Sequence, residues 1–554
     1  MKNKVLILLF AIGGMFYSCS DAYDIPEKGG IYDEYEAFRN AEDVKRGLNT
    51  IYSSIPTATE INLGSIFTDE VSLGLSNGGQ GLISGEYGFG MEAGSGFASS
   101  LWGSYYTMIN RINRLEAISN KLMEETKETG EINALKNNLA ELYALRAFAH
   151  YKLFAYFTPD YVNGSGKSII ILDHVPPYDY TYSLPRNTVS EVKNFILDDL
   201  DRAETFRQAL WADTRDYASA ALLGAIRVKL YSMTEDWDEV LQYGQEIMNQ
   251  YRLSNATEYR NLFGRVGSSA GLTEYEDVPG QTEVIFRSKT TTNSGPNVVA
   301  NWYSVRARGE DGSAFYEMGR TLYNELDKLD SSMTGTAFEP RNDVRYNVNL
   351  VPDWGAPVKE GTKVLTSYES ASQSEYTAED VLLIGKYLGT VGAELRNDLH
   401  IFRVADILLA MAEARAAKGQ LIGSSTDPDD ILNQYTDVYS IIYTLRAARW
   451  IPALPPNLDF TGISMPDVSN QQAAFKAILN ERRVEFAFEG ARYLDMKRLG
   501  VKAGSEGFTR YSKDCAVNGA CNLPANSYKM TLPIPIGEMN GNKSLTQSDQ
   551  NPGY

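Results

Sequence analysis

Residues 217–251, YASAALLGAIRVKLYSMTEDWDEVLQYGQEIMNQY, decide the fold class. Helical spacing carries one helix from Tyr217 to Met233 and a second from Trp237 to Tyr251, with only a short polar link between them. The first is rich in small residues, so a neighbour can approach its backbone closely, and Asp236-Trp237 opens the second. A pair of this kind buries its apolar face only by stacking on the next pair, which predicts more pairs along the chain.

Upstream, Phe38, Val44, Leu48 and Ile51 recur at helical spacing across 36–55, and Pro56 stops that helix. Trp102, Tyr105, Ile109, Ile112 and Leu115 mark a helix over 98–125. Over 131–157 the residues Leu142, Leu145, Phe148, Leu153 and Phe154 leave almost no polar face, while Ala144, Ala147 and Ala149 admit neighbours from more than one side. A helix over 187–207 leads into the opening pair, and the same small-residue texture returns at 398–418 and continues at 430–450. We read the fold as all-α, a tetratricopeptide-like platform of imperfectly repeated helical pairs.

Two stretches break the pattern. Residues 77–96 hold eight glycines in twenty residues, with Tyr87 and Phe89 among them. Residues 255–397 are dominated by Gly, Pro, Ser, Thr and aromatics, and only short alternations such as Glu283-Val-Ile-Phe-Arg287 read as strands. Irregular chain of that length is functional or disordered, and its aromatic content favours order. The expected division is a helical scaffold over 36–254 carrying the Gly-rich loop, a loop-rich ligand-binding region over 255–397, and a second scaffold part with an extended C-terminal segment over 398–554.

At the start, Lys2 and Lys4 precede an apolar run from Val5 to Phe16, the length of a secretory signal core and short of the roughly twenty residues that span a bilayer. A cysteine directly after such a run is where bacterial lipoprotein signals are cleaved and acylated. Residues 1–18 are therefore expected to be a signal, Cys19 the lipidated residue, and 19–35, with Pro26, Gly29 and Gly30, an extended tether. Loss of Lys2 and Lys4 takes the net charge from −19 to −21, which argues against a nucleic-acid partner and leaves the lipid as the membrane contact. The other cysteines, Cys515 and Cys521, lie six apart in a compartment that permits a disulfide. His150, His174 and His400 are far apart, and no metal or cofactor fingerprint is present, so none is expected.

Near the C-terminus, residues 477–500, AILNERRVEFAFEGARYLDMKRLG, closely resemble the signature of the SusD/RagB family, outer-membrane nutrient-binding lipoproteins of Bacteroidota. Thr68-Asp69-Glu70, Trp102 with Asn110 and Asn113, Leu145-Arg146-Ala147, Leu445 to Arg449, Leu532 to Pro535 and Asn551 to Tyr554 fit that family in the same order. The likeness spans the chain, whereas the loop stretches match no particular member. Within the signature, Arg482 with Glu485 and Glu489 with Arg492 stand at i,i+3 spacing and are expected to pair along one helix face, with Gly490 ending or bending that helix.

The resemblance implies a stacked helical platform with ligand contacts on outward loops. It also implies a cell-surface glycan-binding lipoprotein on the outer membrane, facing the exterior and delivering its ligand to a SusC-like TonB-dependent barrel. Some members handle peptides, so a peptide-binding version of the same lid stays open. A surface glycoside hydrolase is the other alternative. Its candidate carboxylates are Glu485 with Glu489, which four residues apart on one helix point the same way rather than across a sugar, or Asp69 with Glu70, and HExxH, P-loop and paired CxxC patterns are missing. We therefore read the chain as a binding protein, not an enzyme. Sugars present apolar CH faces rimmed by hydroxyls, which rigid aromatic plates and polar side chains recognise. Tyr87, Phe89, Trp302, Tyr303, Arg306 and Trp354 are the candidates, with a local loop core as the competing role for each; Trp102 sits on an amphipathic helix and reads as core.

Overall fold

A computed structural model describes residues 37–554, apart from 75–76, 78–84, 178, 180, 208–214, 264–282, 291–298, 300–301, 303–314, 332–340, 351–381, 388, 391–392, 395, 425–434 and 452–461. Cys19 and the expected signal and tether lie outside these residues. No helix among them is long and apolar enough to cross a membrane.

Asn40 starts α1 (Ala41–Tyr52) by accepting a hydrogen bond from the Asp43 amide, and the helix buries Ala41, Val44, Leu48 and Ile51. α1 stops at Tyr52, before Pro56 as expected, and Pro56 stands at the N-cap position of a further helix, α2 (Thr57–Ile66). Almost all of α2 is buried, so it shows no amphipathic period in the sequence. After β1 (Val71–Leu73) come α3 (Gly96–Glu125), α4 (Thr129–Phe157) and α5 (Val189–Phe206). The last is opened by a Thr188–Glu191 capping box. The opening pair of the sequence reading is α6 (Ala220–Thr234) and α7 (Trp237–Met248), turned by Glu235 in the left-handed region at φ 62°.

Between 255 and 397 the chain holds more regular structure than its composition suggests: α8 (Ala256–Leu262), β2 (Val284–Ser288), β3 (Tyr316–Met318), α9 (Arg320–Asp327), α10 (Val344–Asn349), β4 (Gly389–Thr390) and β5 (Ala393–Glu394). Then β6 (Leu399–Arg403) precedes α11 (Val404–Ala417), which corrects the expectation of a helix from 398. Those residues pair antiparallel with β2. The series closes with α12 (Val438–Arg449), α13 (Gln471–Glu485), α14 (Arg492–Leu499), β7 (Phe508–Thr509), β8 (Asn522–Leu523) and the one-turn α15 (Ile536–Gly541).

The helices stack in sequence. α3, α4 and α5 pack side by side, α6 packs on α7, α7 on α11, and α11 on α12 and α13. This all-α platform encloses the main core. A second core gathers Ile61, Val71, Tyr259, Val284, Met318, Leu322, Val344 and Ile384 from α2 and the loop-rich region. The C-terminal signature is the seam between the two cores. Its Ile478, Leu479, Tyr493 and Met496 belong to the first core, and Val484, Ala487 and Phe488 to the second.

The signature helix stops at Glu485, before Gly490, and Gly490 instead belongs to the tight turn that follows, in which Phe488 and Gly490 take φ values of 63° and 85°. There α2 crosses backbone on backbone: a Cβ on Gly64 would lie 2.5 Å from the Gly490 Cα. Gly64→Ala is thus expected to cost about 1–3 kcal/mol, the scale of overpacking a rigid contact. Denaturant unfolding checks this, and an unchanged midpoint would show that α2 can shift.

The expected charge pairs along the signature helix are not formed. Arg482 donates instead to Asp495 and Asp406 at 2.7 and 2.6 Å, and Arg492 grips Asp69 with two bonds of 2.8 and 2.9 Å. Glu489 accepts from Lys386 at 2.7 Å and from Arg403 at 2.9 Å. Because α13 is buried on nearly all sides, its charges meet partners from other elements before each other.

Candidate functional site

β1 lies against β3 in antiparallel register, Leu73 opposite Tyr316, so the edge of the second core carries consecutive aromatics. Tyr316 is buried, and burial, with Glu86 adding to it, pushes its phenol up to about 12. Phe315 and Trp302, next to it, remain half-buried. Their rings stand 5.0 and 5.8 Å from that of Tyr316. A buried tyrosine thus supports two aromatic side chains that each keep part of their surface open, the arrangement a shallow stacking surface needs.

Tyr87 of the Gly-rich stretch shares the second core with Tyr316. Arg510 places its guanidinium 3.9 Å from the Tyr87 ring centre and 4.1 Å from that of Phe89. It also donates to the Thr68 carbonyl at 2.7 Å and to the Tyr87 carbonyl. Tyr87 donates its hydroxyl to the Asp514 carbonyl at 3.1 Å, and Phe89 packs on Phe67 and Phe508. Tyr87 and Phe89 are 1% and 4% exposed. Both therefore correct the expectation of ligand plates: Arg510 and the core already occupy their faces. Arg510 is itself bonded through its amide to the Cys521 carbonyl at 2.8 Å, beside a disulfide that joins Cys515 and Cys521 across a Cα–Cα distance of 5.2 Å.

Of the sequence candidates, Trp302 alone falls on the ledge among the described residues; Tyr303, Arg306 and Trp354 lie outside them. Sequence reasoning passed over Phe315, Tyr316 and Arg510. The adjacent aromatic pair in GSAFYEMG was the available signal for the first two, whereas an arginine far from the ledge in sequence gave none. Trp102 is core, 4% exposed, with its indole N–H donated to Glu538 at 3.2 Å.

The carboxylates weighed for hydrolysis are held elsewhere. Glu485 accepts from Arg449 and Arg403, 2.8 and 2.9 Å away, and these guanidiniums override burial to hold it well below the usual carboxylate range. Arg483 and Arg492 likewise outweigh burial at Asp69. Among the described residues no group of three or more His, Cys, Asp or Glu side chains is placed to hold a metal ion.

Stacked helical pairs that support a second, loop-rich core with an open aromatic ledge define a class: a helical scaffold protein whose loops form its contact surface. Residues 274–554 match the sequence model of the SusD family, and residues 91–253 match a model described as starch-binding and associating with the outer membrane. The chain belongs to the SusD family. Among its relatives are SusD-like proteins P2 and P38 of Formosa agariphila. P2 is 24% identical over all of this chain and 99% of its own length, and P38 is 25% identical over 90% and 91%. The fold is shared with a SusD superfamily protein from Bacteroides thetaiotaomicron at 18% identity and a TM-score of 0.66, over 93% of this chain and all of that one. A SusD-like carbohydrate binding protein from Bacteroides vulgatus aligns over 92% and 98% at 17% identity and a TM-score of 0.58.

Proposed function

We propose that this protein is a cell-surface lipoprotein that binds an oligosaccharide or polysaccharide and delivers it to a SusC-like TonB-dependent outer-membrane transporter, without transforming it. The observation that carries the reading is the ledge of Trp302 and Phe315 over Tyr316, set on a rigid core in a chain of the SusD family. The starch-binding, outer-membrane description of the matched model and the carbohydrate-binding relative support it. Acylation at Cys19 after the signal would hold the protein at the membrane, with the tether giving the platform reach.

A ledge rather than a deep cavity suits transient binding, since a shallow surface excludes little water and leaves polar hydroxyls partly solvated. Trp302→Ala is expected to weaken saccharide binding by about 1–3 kcal/mol, the value of one aromatic side chain, with the fold unchanged. Calorimetry of the unacylated protein against an oligosaccharide panel, with a product assay alongside, tests this. Heat from peptides with none from saccharides would replace the sugar by a peptide. Product formation would overturn the binding-only reading.

A further inference from the structure

A cleft separate from the aromatic ledge lies where α15 meets the loop after α4. It has a volume of about 330 Å³, and Tyr106, Tyr182 and Leu184 face Glu538 and Asn542 across it. We propose that this cleft is a second saccharide site, selective for a neutral sugar unit over uronic or sulfated ones. The proposal rests on the carbohydrate reading given above.

The polar wall is built in advance of any ligand. Glu538 receives the Trp102 indole N–H at 3.2 Å on one carboxylate oxygen and the Asn542 amide at 2.8 Å on the other. Asn542 is in turn tied to the Leu184 carbonyl at 2.9 Å, which joins the two walls. Each Glu538 oxygen keeps a further lone pair, so the carboxylate can accept from two neighbouring hydroxyls of one sugar. Among the described residues Glu538 is in no ion pair, and the cleft lining contains no lysine or arginine. A carboxylate without a cation accepts hydroxyl donors and repels anionic sugars.

The opposite wall supplies apolar surface. Tyr182 is fixed by a 2.6 Å contact between its hydroxyl and His174, and Tyr106 by donation to the Ile170 carbonyl at 2.7 Å. Gly537 and Gly541 line the cleft, and a Cβ on either would meet no protein atom within 4 Å. Two missing side chains on one turn leave room for a ring to approach the backbone, and a larger residue there fills the cleft without straining the fold.

Trp102 reports on the site because its indole is bonded to Glu538. Protein labelled with fluorotryptophan is titrated with neutral malto-, xylo- and galacto-oligosaccharides and with oligogalacturonate and a sulfated oligosaccharide; Trp102→Phe assigns the resonance. We expect at least one neutral oligosaccharide to shift the Trp102 signal saturably, in wild type and in Trp302→Ala alike, with no shift from the anionic sugars. Gly541→Leu should abolish the response and Glu538→Gln should weaken it about tenfold, the value of one charge-assisted hydrogen bond. Saccharide binding by calorimetry with an unmoved Trp102 signal would overturn the second site and leave the proposed function standing. No saccharide binding of any kind would overturn both, and a response to oligogalacturonate equal to that for neutral sugars would overturn the selectivity.

Discussion

Arg449→Met is expected to destabilise the protein by about 3–5 kcal/mol, the scale of breaking a buried ion pair from one side. Arg449 is fully buried and uses all three of its nitrogens: Nη1 on the Ser254 carbonyl at 2.6 Å, Nη2 on Glu283 at 2.8 and 2.9 Å and on Glu485 at 2.8 Å, and Nε on Glu485 at 3.2 Å. Around it Arg345, Arg403, Arg446 and Lys386 meet Asp343, Glu481, Glu485, Glu489 and Glu283, so cations and carboxylates balance charge for charge. Methionine fills the volume of the stem but leaves Glu283 and Glu485 with one guanidinium fewer each. The desolvation cost of two carboxylates then goes unopposed by that partner. Adding Glu283→Gln to Arg449→Met should restore part of the loss, because removing a charge along with its partner costs less than stranding it. Chemical denaturation measures both. A single-variant loss below about 1 kcal/mol would mean that water reaches the network, since exposed pairs contribute no more than that.

This network also marks where the sequence stops being legible. Long helices with a clear apolar stripe, such as α1 and α3, follow from spacing alone. Two kinds of element did not. α2 and α13 are buried nearly all round, so neither amphipathic period nor i,i+3 charge spacing describes their surroundings. Arg482 and Glu485 look like partners on a helix surface, yet each reaches a carboxylate or guanidinium from another element. The short pieces α8, α9 and α10 hold fewer than three turns each, too little for a period to stand out from a Gly- and Ser-rich background. Within the ledge, composition pointed to the right stretches but could not separate an open aromatic from a covered one. Trp302 stays half-open, while Tyr87 and Phe89 are covered by Arg510, which is distant in sequence. Covering of that kind is a tertiary fact with no local signature.

Glu70→Gln is expected to remove a loss of stability of about 4 kcal/mol that the wild type suffers as the pH rises from about 4.5 to about 8. Glu70 is fully buried; burial is the largest influence on it, followed by hydrogen bonds from Ser65 and the Phe488 amide that only partly oppose it, and its pKa is raised to about 8. Its Oε1 has no hydrogen-bond partner among the described residues, as suits an acid kept neutral in the fold. The folded chain therefore holds the proton while the unfolded chain releases it near the ordinary glutamate value. Below that value both states are protonated and the side chain contributes no pH dependence. Between it and about 8 only the unfolded state loses the proton, so stability falls with rising pH, and above about 8 it levels off. Its neighbour Asp69 works in the opposite direction and in another window. Held ionised by Arg483 and Arg492 against burial, it contributes stability above the usual aspartate value that is lost as the pH falls below it. The difference between wild type and Glu70→Gln isolates the first effect, since Asp69 is common to both. Unfolding curves at pH 4 should nearly coincide, and at pH 8.5 the variant should be the more stable by the full amount. Curves that stay parallel across that range would show Glu70 ionised in the fold, and would point to a cation or ordered water at Oε1.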